Sequence, residues 1–208
     1  MIALIDSGIC NLASVANALG RVGARIEIAD EPERIRDATA IILPGVGAFA
    51  DGMKSLRDHC FVEPLRDAAK AGKPILGICL GMQMLAGESE EHGRHDGLGL
   101  LPGRVRRMKA DQSGFRVPNI GWCDVTVENP GALYAEAGPA GAFYFVHSYS
   151  VETEPRNVAA TIEFSGRKLV AAVERGSLSG VQFHPEKSQD CGLDLLARWV
   201  RHLPGAGQ

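Results

Sequence analysis

The chain has 208 residues, 45% of them hydrophobic and 23% charged, and its 22 basic and 25 acidic side chains give a net charge of −3. This composition is typical of a globular protein and excludes the collagen-like, disulfide-rich and intrinsically disordered classes. The nearly balanced charge gives no reason to expect binding to nucleic acid or to an anionic membrane. We expect a single domain over residues 1–208, of a size that needs no metal or disulfide for stability.

The cysteines and the N-terminus indicate a cytoplasmic location. The five cysteines are scattered, without Cys-x-x-Cys pairs, as expected in a reducing compartment. The N-terminal MIALIDSGICN lacks the basic segment of a signal peptide, and no run approaches the ~20 apolar residues of a membrane span.

The first half of the chain alternates short apolar runs with amphipathic segments. In chain order, the runs predicted as strands are IALID, RIEIA, AIILP and PILGI. Helices are predicted for NLASVANALGRVG, a charged segment after RIEIA, FVEPLRDAAKAG and LGMQMLAGE. The runs AIIL and PILGI are apolar without alternation, which is typical of parallel strands covered by helices on both faces. The pattern predicts an α/β fold: a three-layer, mostly parallel sheet with flanking helices.

The second half of the chain has a different sequence pattern, in which strand-like segments are joined by turns rich in Gly, Pro and Asn. These pieces are VRRMK, RVPNIGWCDVTV, AFYFVHSYSVE, VAATIEF, KLVAAVE and LSGVQFH, and a final amphipathic helix is predicted for CGLDLLARWVRHL. Additional antiparallel strands are expected here. The polar segment EEHGRHDG, which contains His92 and His95, is expected to be a surface loop rather than a metal site.

One thiol stands between two glycines, where the fourth predicted strand meets a helix. The sequence Gly77-Ile78-Cys79-Leu80-Gly81 has the G-x-nucleophile-x-G spacing of a nucleophile elbow. The glycines allow the strand and the helix to approach closely, and the helix N-terminus stabilises a thiolate. The alternative is a core cysteine, because a thiol among Ile and Leu is usually buried packing.

A base for this thiol is predicted near the C-terminus. The segment GVQFHPEKSQ places His184 at a strand end, with Glu186 two residues later. A nucleophilic thiol needs a base, and the base needs an orienting group. Because Pro185 restricts the backbone between them, Glu186 can hydrogen-bond the imidazole and leave its other nitrogen for Cys79.

A second glycine-rich turn follows the third strand, in the sequence Pro44-Gly45-Val46-Gly47. It lacks the Lys-Ser/Thr of a phosphate-binding loop and the full G-x-G-x-x-G spacing. We interpret it as a flexible backbone segment that supplies or withholds an N–H group for an oxyanion, because peptide rotation beside glycine is easy.

Four stretches, PGVGAF, GICLGMQ, FYFVHSY and GVQFHPEKSQ, together resemble class I (triad) glutamine amidotransferases. More narrowly, the chain resembles the glutaminase subunits of imidazole glycerol phosphate synthases over essentially its whole length. The resemblance implies a flavodoxin-like class I glutaminase fold that needs no cofactor. It also implies hydrolysis of L-glutamine to L-glutamate and ammonia through a cysteinyl thioester.

The resemblance assigns roles to matching positions of this chain. It implies that Cys79 is the nucleophile, that His184 shuttles the proton and that Glu186 orients His184. The implied oxyanion hole uses backbone groups of Val46, Gly47 and Leu80. The implied substrate-binding groups are Gln83 and the backbone near Ser148 and Tyr149.

The resemblance also implies a partner. In this family the ammonia passes to a (β/α)8-barrel cyclase subunit, which makes imidazole glycerol phosphate and AICAR in histidine biosynthesis, so a heterodimer is expected. The matching interface positions are Asn11, Trp122, Tyr144 and Lys187. Core packing is the alternative role for the two aromatic residues, and a solvated charge is the alternative for Lys187.

Two segments near the expected partner depart from the family pattern. DYGMGN is replaced by DSGICN, which introduces Ser7 and Cys10, and PHMGWN is replaced by PNIGWC, which introduces Asn119 and Cys123. Two alternatives stay open at this point. One is a paralogous glutaminase that supplies ammonia to another synthase, such as a surface-glycan sugar amidotransferase, and the other is a stand-alone cysteine γ-glutamyl hydrolase.

Overall fold

The structure is a computed structural model that describes residues 1–135 and 141–204. Its α-helices are α1 (Leu12–Arg21), α2 (Glu33–Asp37), α3 (Phe49–Asp58), α4 (Val62–Lys70), α5 (Leu80–Met84) and α6 (Gln189–Arg201). Its first seven strands are β1 (Ile2–Ile5), β2 (Ile26–Ala29), β3 (Ala40–Gly45), β4 (Ile75–Cys79), β5 (Ala86–Ser89), β6 (His95–Asp96) and β7 (Leu101–Arg107). The other seven are β8 (Asn119–Asp124), β9 (Thr126–Val127), β10 (Ala142–His147), β11 (Tyr149–Thr153), β12 (Val158–Phe164), β13 (Arg167–Arg175) and β14 (Leu178–Val181).

An eight-stranded sheet forms the centre of the fold, in the order β2-β1-β3-β4-β14-β13-β12-β9. The five strands from β2 to β14 are parallel, and the three beyond β14 are antiparallel. The predicted mostly parallel sheet with added antiparallel strands is therefore confirmed. Because Val181 of β14 pairs with Ile78 of β4, the chain leaves β14 next to the turn that carries Cys79.

The parallel strands are buried by helices on both faces, as their unbroken apolar runs predict. Residues of α1 and α6 pack with Leu4, Ile42 and Leu76 on one face. Residues of α2, α3, α4 and α5 pack with Ile41 and Leu43 on the other face. Burial of alternate strand residues in two separate cores explains why these strands show no polar alternation. No helix among the described residues is long and apolar enough to cross a membrane.

Three predicted boundaries are wrong. The piece RVPNIGWCDVTV divides into β8 and β9, which belong to two different sheets. The segment LGMQMLAGE was expected to form one helix, but α5 ends at Met84 and the chain continues as strand β5. β5 pairs with the distant strand β7, with Ala86 opposite Leu101, so a long-range ladder overrides the local helical pattern. The segment AFYFVHSYSVE divides at Ser148 into β10 and β11, which belong to two different sheets.

Helix α3 and the short strand β6, which lies in the expected loop EEHGRHDG, were not predicted. The strand is only two residues long and pairs with β5, so its pattern is too short to be read from sequence. The division at Ser148 matters for function. It sends β10 to pair with β8 in a two-stranded ribbon, and it directs β11 along β7, so that Ser148 and Tyr149 border the turn at Cys79.

Candidate active site

Cys79 lies at the turn between β4 and α5, where the backbone has an unusual conformation. Its φ of +55° and ψ of −110° lie outside the regions that L-residues favour. The close approach of strand and helix requires glycine on both sides. A Cβ on Gly81 would lie 1.8 Å from the Leu43 carbonyl oxygen, and a Cβ on Gly77 would lie 2.7 Å from the Met82 backbone. The predicted strand–turn–helix elbow is present, and it holds a nearly buried thiol at the carboxyl edge of the sheet.

His184 and Glu186 follow β14 and are joined by a hydrogen bond of 2.8 Å between His184 Nδ1 and Glu186 Oε1. The two side chains are only 3% and 2% exposed. The other ring nitrogen, Nε2, is buried and has no hydrogen-bond partner within residues 1–135 and 141–204. The pair therefore has the predicted arrangement, with one nitrogen held by the carboxylate and the other available for chemistry.

The surroundings of His184 favour its protonated form. Burial of the imidazole lowers its pKa, but interactions with Cys79 and Glu186 outweigh burial and raise the pKa to about 9. At neutral pH the ring therefore carries a proton beside the thiol, an arrangement that stabilises a thiolate.

The backbone of His184 is fixed to β10. The His184 N–H donates to the Tyr144 carbonyl over 2.9 Å. The Ser188 hydroxyl donates to the His184 carbonyl over 2.6 Å and accepts from the Tyr144 N–H over 3.0 Å. The base is thus positioned both by its own strand and by the β8–β10 ribbon.

A cavity of about 270 Å³ opens over the thiol. It brings together the predicted nucleophile and base with all the predicted oxyanion and substrate-binding positions: Cys79, His184, Val46, Gly47, Leu80, Gln83, Ser148 and Tyr149. Four further residues line it that sequence reasoning did not select: Glu91, Pro118, Val146 and His147. Glu186 lies behind His184 rather than in this cavity.

The predicted oxyanion groups are not equally free. Leu80 begins α5, so its N–H lies at a helix N-terminus and has no carbonyl one turn earlier within the helix. The Val46 N–H donates to the Ile9 carbonyl over 3.0 Å and is therefore engaged. Gly47 has φ +94°, a conformation that favours glycine, which leaves the adjacent peptide free to rotate.

Gln83 and Glu91 supply side-chain polar groups at the other end of the cavity. Gln83 is 6% exposed and donates from Nε2 to the Tyr149 carbonyl over 3.2 Å. Glu91 accepts a hydrogen bond of 2.7 Å from the Phe49 N–H at the start of α3, which holds its carboxylate in place. Sequence reasoning missed Glu91 because it lies in the segment assigned to a surface loop. Its position 12 residues after Cys79 carries no periodic signal.

The β8–β10 ribbon exposes an unusual amount of apolar surface. Trp122 pairs with Tyr144 and Ile120 pairs with Val146 across the ribbon, so these side chains share one face. Exposure reaches 61% for Ile120, 49% for Trp122 and 38% for Val146. We call these four residues the apolar hairpin. Core packing, the alternative for Trp122, is therefore wrong; its ring instead contacts that of Tyr144 edge to face, at 6.1 Å between centroids.

The other predicted interface residues lie beside the triad rather than in the main cavity. Asn11 is exposed and caps α1, where its side chain accepts from the Ser14 N–H. Lys187 is exposed, and no ion pair involves it among the described residues. Both line a small cavity of about 20 Å³ that also reaches Glu186 and Cys10.

The residues that depart from the family pattern make specific contacts. Asn119 Nδ2 lies 3.3 Å from His147 Nε2 and 3.6 Å from Cys123 Sγ. Burial lowers the pKa of His147 to about 4, so its ring is neutral and its other nitrogen, Nδ1, donates to the Tyr149 carbonyl over 2.9 Å.

In the DSGICN segment, burial raises the pKa of the Cys10 thiol to about 11. Ser7 is buried, and its carbonyl accepts from the Ser55 hydroxyl.

No cluster of three His, Cys, Asp or Glu side chains suited to a metal ion occurs among residues 1–135 and 141–204. The geometry provides instead a thiol, a base held by a carboxylate and a cavity with backbone donors. This combination supports nucleophilic attack on a carbonyl carbon and stabilisation of the resulting oxyanion.

Comparison with solved structures supports the fold. The chain is similar to a solved structure described as PurLQS from Thermotoga maritima, with a TM-score of 0.73 and 21% identity, covering 96% of this chain and 97% of that one.

Sequence comparison is more specific. The chain is 47% identical to the imidazole glycerol phosphate synthase subunit HisH of Moorella thermoacetica, over 99% of this chain and 98% of the relative. It is 45% identical to the subunit of the same name from Symbiobacterium thermophilum, over 96% of this chain and 93% of the relative. The family model for glutamine amidotransferase class-I matches residues 3–201. The chain therefore belongs to the class-I glutamine amidotransferase family.

Proposed function

We propose that this chain is the glutaminase subunit of an imidazole glycerol phosphate synthase. It hydrolyses L-glutamine to L-glutamate and ammonia, and it passes the ammonia to a cyclase subunit for histidine biosynthesis. The observation that carries this proposal is that Cys79 and His184 line one cavity and Glu186 is hydrogen-bonded to His184 behind it, in a chain that is 47% identical to a HisH subunit.

In the first half of the reaction, the Cys79 sulfur attacks the side-chain amide carbon of glutamine, and the carbonyl electrons move to oxygen. The Leu80 N–H stabilises this oxyanion. His184 then donates its Nε2 proton to the amide nitrogen, the C–N bond breaks, and ammonia leaves behind a γ-glutamyl thioester. Glu186 holds the ring throughout by its bond to Nδ1.

In the second half, His184 is neutral and takes a proton from water as the water oxygen attacks the thioester carbon. The C–S bond breaks, glutamate leaves, and the thiolate and the protonated imidazole are restored. The new side-chain carboxyl group then loses its proton to solvent, so the sum of the two halves is glutamine plus water giving glutamate, ammonia and a proton.

The amino-acid end of the substrate binds away from the thiol. The Glu91 carboxylate and Gln83 Oε1 are acceptors suited to the α-ammonium group. The Ser148 carbonyl already accepts from the Met108 N–H, and the Tyr149 carbonyl accepts from Gln83 and His147. Contacts of these two residues with the α-carboxylate therefore come from N–H groups or from the Ser148 hydroxyl.

The partner is a (β/α)8-barrel cyclase that covers the apolar hairpin and forms a heterodimer with this chain. Val146 belongs to the hairpin and also lines the cavity, so a partner seated there covers the cavity mouth and receives the ammonia. Asn11 and Lys187 lie beside the triad and extend the same contact. The five cysteines are all unpaired, which suits a reducing cytoplasm.

The engaged Val46 N–H favours partner dependence over the stand-alone hydrolase. With this N–H bonded to the Ile9 carbonyl, Val46 gives the oxyanion no donor, and loss of one such donor costs about 10²–10³ in kcat. We expect the partner to favour a rotation of the peptide between Val46 and Gly47 that turns the Gly47 N–H toward the cavity as a second donor.

The test measures glutamate formation by the full chain alone, with the cyclase, and with the cyclase and its nucleotide ligand. We expect little turnover until the last condition, and at least about a 10³-fold loss on Cys79→Ala. Cys60→Ala changes an exposed thiol that does not line the cavity and is the matched control. Full activity of the chain alone would support the stand-alone hydrolase instead.

The destination of the ammonia needs a separate test. A histidine-requiring strain that lacks its own glutaminase subunit, grown with ammonia limited, regains growth if the chain serves this pathway. Soluble expression without growth would favour the paralogous glutaminase that supplies another synthase.

A further inference from the structure

Gln182 lies between β14 and His184, and its side chain touches the nucleophile. The residue is completely buried. Its Nε2 atom lies 3.7 Å from Cys79 Sγ, and its Oε1 atom lies 2.9 Å from Gln83 Nε2. The reaction steps described above give it no part, although it connects the thiol to a substrate-binding side chain.

The orientation of the Gln83 and Gln182 side-chain amides follows from one neighbouring atom that can accept a hydrogen bond but cannot donate one. The Tyr149 carbonyl oxygen is such an atom, so the Gln83 group 3.2 Å from it must be the NH₂. The same NH₂ faces Gln182 over 2.9 Å, so the Gln182 atom at that contact must be its carbonyl oxygen. The NH₂ of Gln182 is then directed to the sulfur. Donor and acceptor chemistry therefore fixes an orientation that atomic positions alone leave open.

This orientation affects the thiol directly. An N–H group directed at sulfur interacts more strongly with a thiolate than with a neutral thiol, because hydrogen bonds to ionised acceptors are the stronger kind. Gln182 is buried, so water cannot replace the contact if it is removed. The contact therefore favours the ionised form of Cys79.

The same orientation affects Gln83. Its two N–H bonds are used by Tyr149 and Gln182, so its amide plane is fixed. Its carbonyl oxygen is then the polar atom left for another partner, and it is an acceptor suited to the substrate ammonium group.

We propose that Gln182 is a positioning residue of the glutaminase site. It donates an N–H to the Cys79 sulfur, a contact that stabilises the nucleophile, and it fixes the substrate-binding amide of Gln83 by accepting an N–H from it. This proposal rests on the function proposed above, since it assigns Gln182 a role in the same site.

The test follows alkylation of Cys79 by iodoacetamide against pH, in the full chain, with the modified peptide quantified by mass spectrometry. Gln182→Met keeps the length of the side chain but removes both polar groups. We expect the midpoint of its pH–rate profile to move upward, with alkylation at pH 7 slower by about tenfold or more. Gln112→Met changes an exposed glutamine and should leave the profile unchanged. An unshifted midpoint in Gln182→Met would overturn the proposal.

Gln182→Glu separates the two roles, because it keeps an acceptor for Gln83 but presents oxygen to the sulfur. It should shift the alkylation midpoint as Gln182→Met does, while its KM for glutamine stays closer to that of the unmodified enzyme. If neither variant folds, Gln83→Met removes the donor that orients Gln182, and a smaller upward shift is expected. No shift in Gln83→Met would then contradict the proposal.

A different readout tests the underlying function. A glutamine analogue with an electrophilic group in place of the side-chain amide should label Cys79 in the unmodified chain when the cyclase and its nucleotide ligand are present. If it does not, the proposed glutaminase activity fails, whatever the alkylation profile shows. If it labels Cys79 and the Gln182 variants have unshifted profiles, only the role of Gln182 fails.

Discussion

The triad and the apolar hairpin meet at the same cavity, but the triad side chains are buried against partners within the chain, whereas the hairpin side chains are exposed. His184 and Glu186 are buried and hydrogen-bonded to each other within the chain. Ile120 and Trp122, on the hairpin, are about half exposed or more although both are large and apolar. The first region is completed by this chain alone, whereas the second presents the kind of apolar patch that marks a protein interface.

This difference indicates how the chain can be folded without being fully active. The triad needs no partner for its own geometry, because its strands and glycines fix it. The oxyanion side does need a change, since the Val46 N–H is bonded to Ile9. The His184 backbone is hydrogen-bonded to that of Tyr144, which belongs to the hairpin. A partner that contacts Tyr144 therefore contacts a residue bonded directly to the base.

The largest expected effect tests whether the triad is held together within the chain. The pKa of His184 is about 9 when folded against an ordinary value of 6.5, so the folded chain binds this proton more tightly than the unfolded chain. The resulting stability is fully present below pH 6.5 and is lost as pH rises through 9. The shift corresponds to on the order of 3 kcal/mol. Urea unfolding at pH 6 and pH 9.5 measures it.

The control for this experiment is His184→Gln, which cannot titrate. The unmodified chain should lose about 3 kcal/mol more of its unfolding free energy between the two pH values than the variant does. Groups that do not contact His184 titrate alike in both proteins, so their contribution cancels. An equal pH dependence would show that His184 has no net attraction to its neighbours.

A smaller effect tests whether the hairpin is the part completed by a partner. Ile120→Asp places a charge in the proposed interface and should weaken cyclase binding by about 2 kcal/mol, or roughly 30-fold in Kd. Ile28→Asp is the matched control, because Ile28 is 47% exposed on the edge strand β2. Isothermal titration calorimetry compares the two. Equal weakening, or none, would remove the hairpin from the proposed interface.

Most of the fold could be predicted because its signals are local. Unbroken apolar strands and amphipathic helices gave the three-layer arrangement, and the Gly77–Gly81 spacing gave the elbow. The errors fall where distant strands decide the outcome. The helical pattern after Met84 yields to the ladder between β5 and β7, and the run through Ser148 divides between two sheets.

The candidate site shows the same division. Residues next to a strong local pattern, such as Cys79 between glycines, could be selected from sequence. Glu91 and Gln182 could not, because each acts through partners far along the chain. Gln182 meets Cys79 across 103 positions, and Glu91 meets Phe49 across 42. No periodicity connects such pairs, and only the contacts of the folded chain identify them.

The smallest expected effect concerns Glu91, which lines the cavity together with Cys79 and with Val146 of the hairpin. Glu91→Gln keeps an oxygen to accept from the Phe49 N–H but removes the charge that faces the substrate ammonium group. KM for glutamine should rise about tenfold with kcat changed less than about twofold, because a contact equal in the ground and transition states affects binding alone. Steady-state kinetics of the complete complex measure both constants.

The neighbouring Glu90→Gln supplies the comparison for this change. Glu90 is exposed, pairs with Arg106 over 3.0 Å and does not line the cavity, so its loss of charge should leave KM unchanged. If both variants raise KM equally, the charge acts at long range rather than by contact with the substrate. If Glu91→Gln lowers kcat instead, Glu91 acts on the reacting groups, and the separation between a self-contained triad and a substrate-binding rim would be wrong.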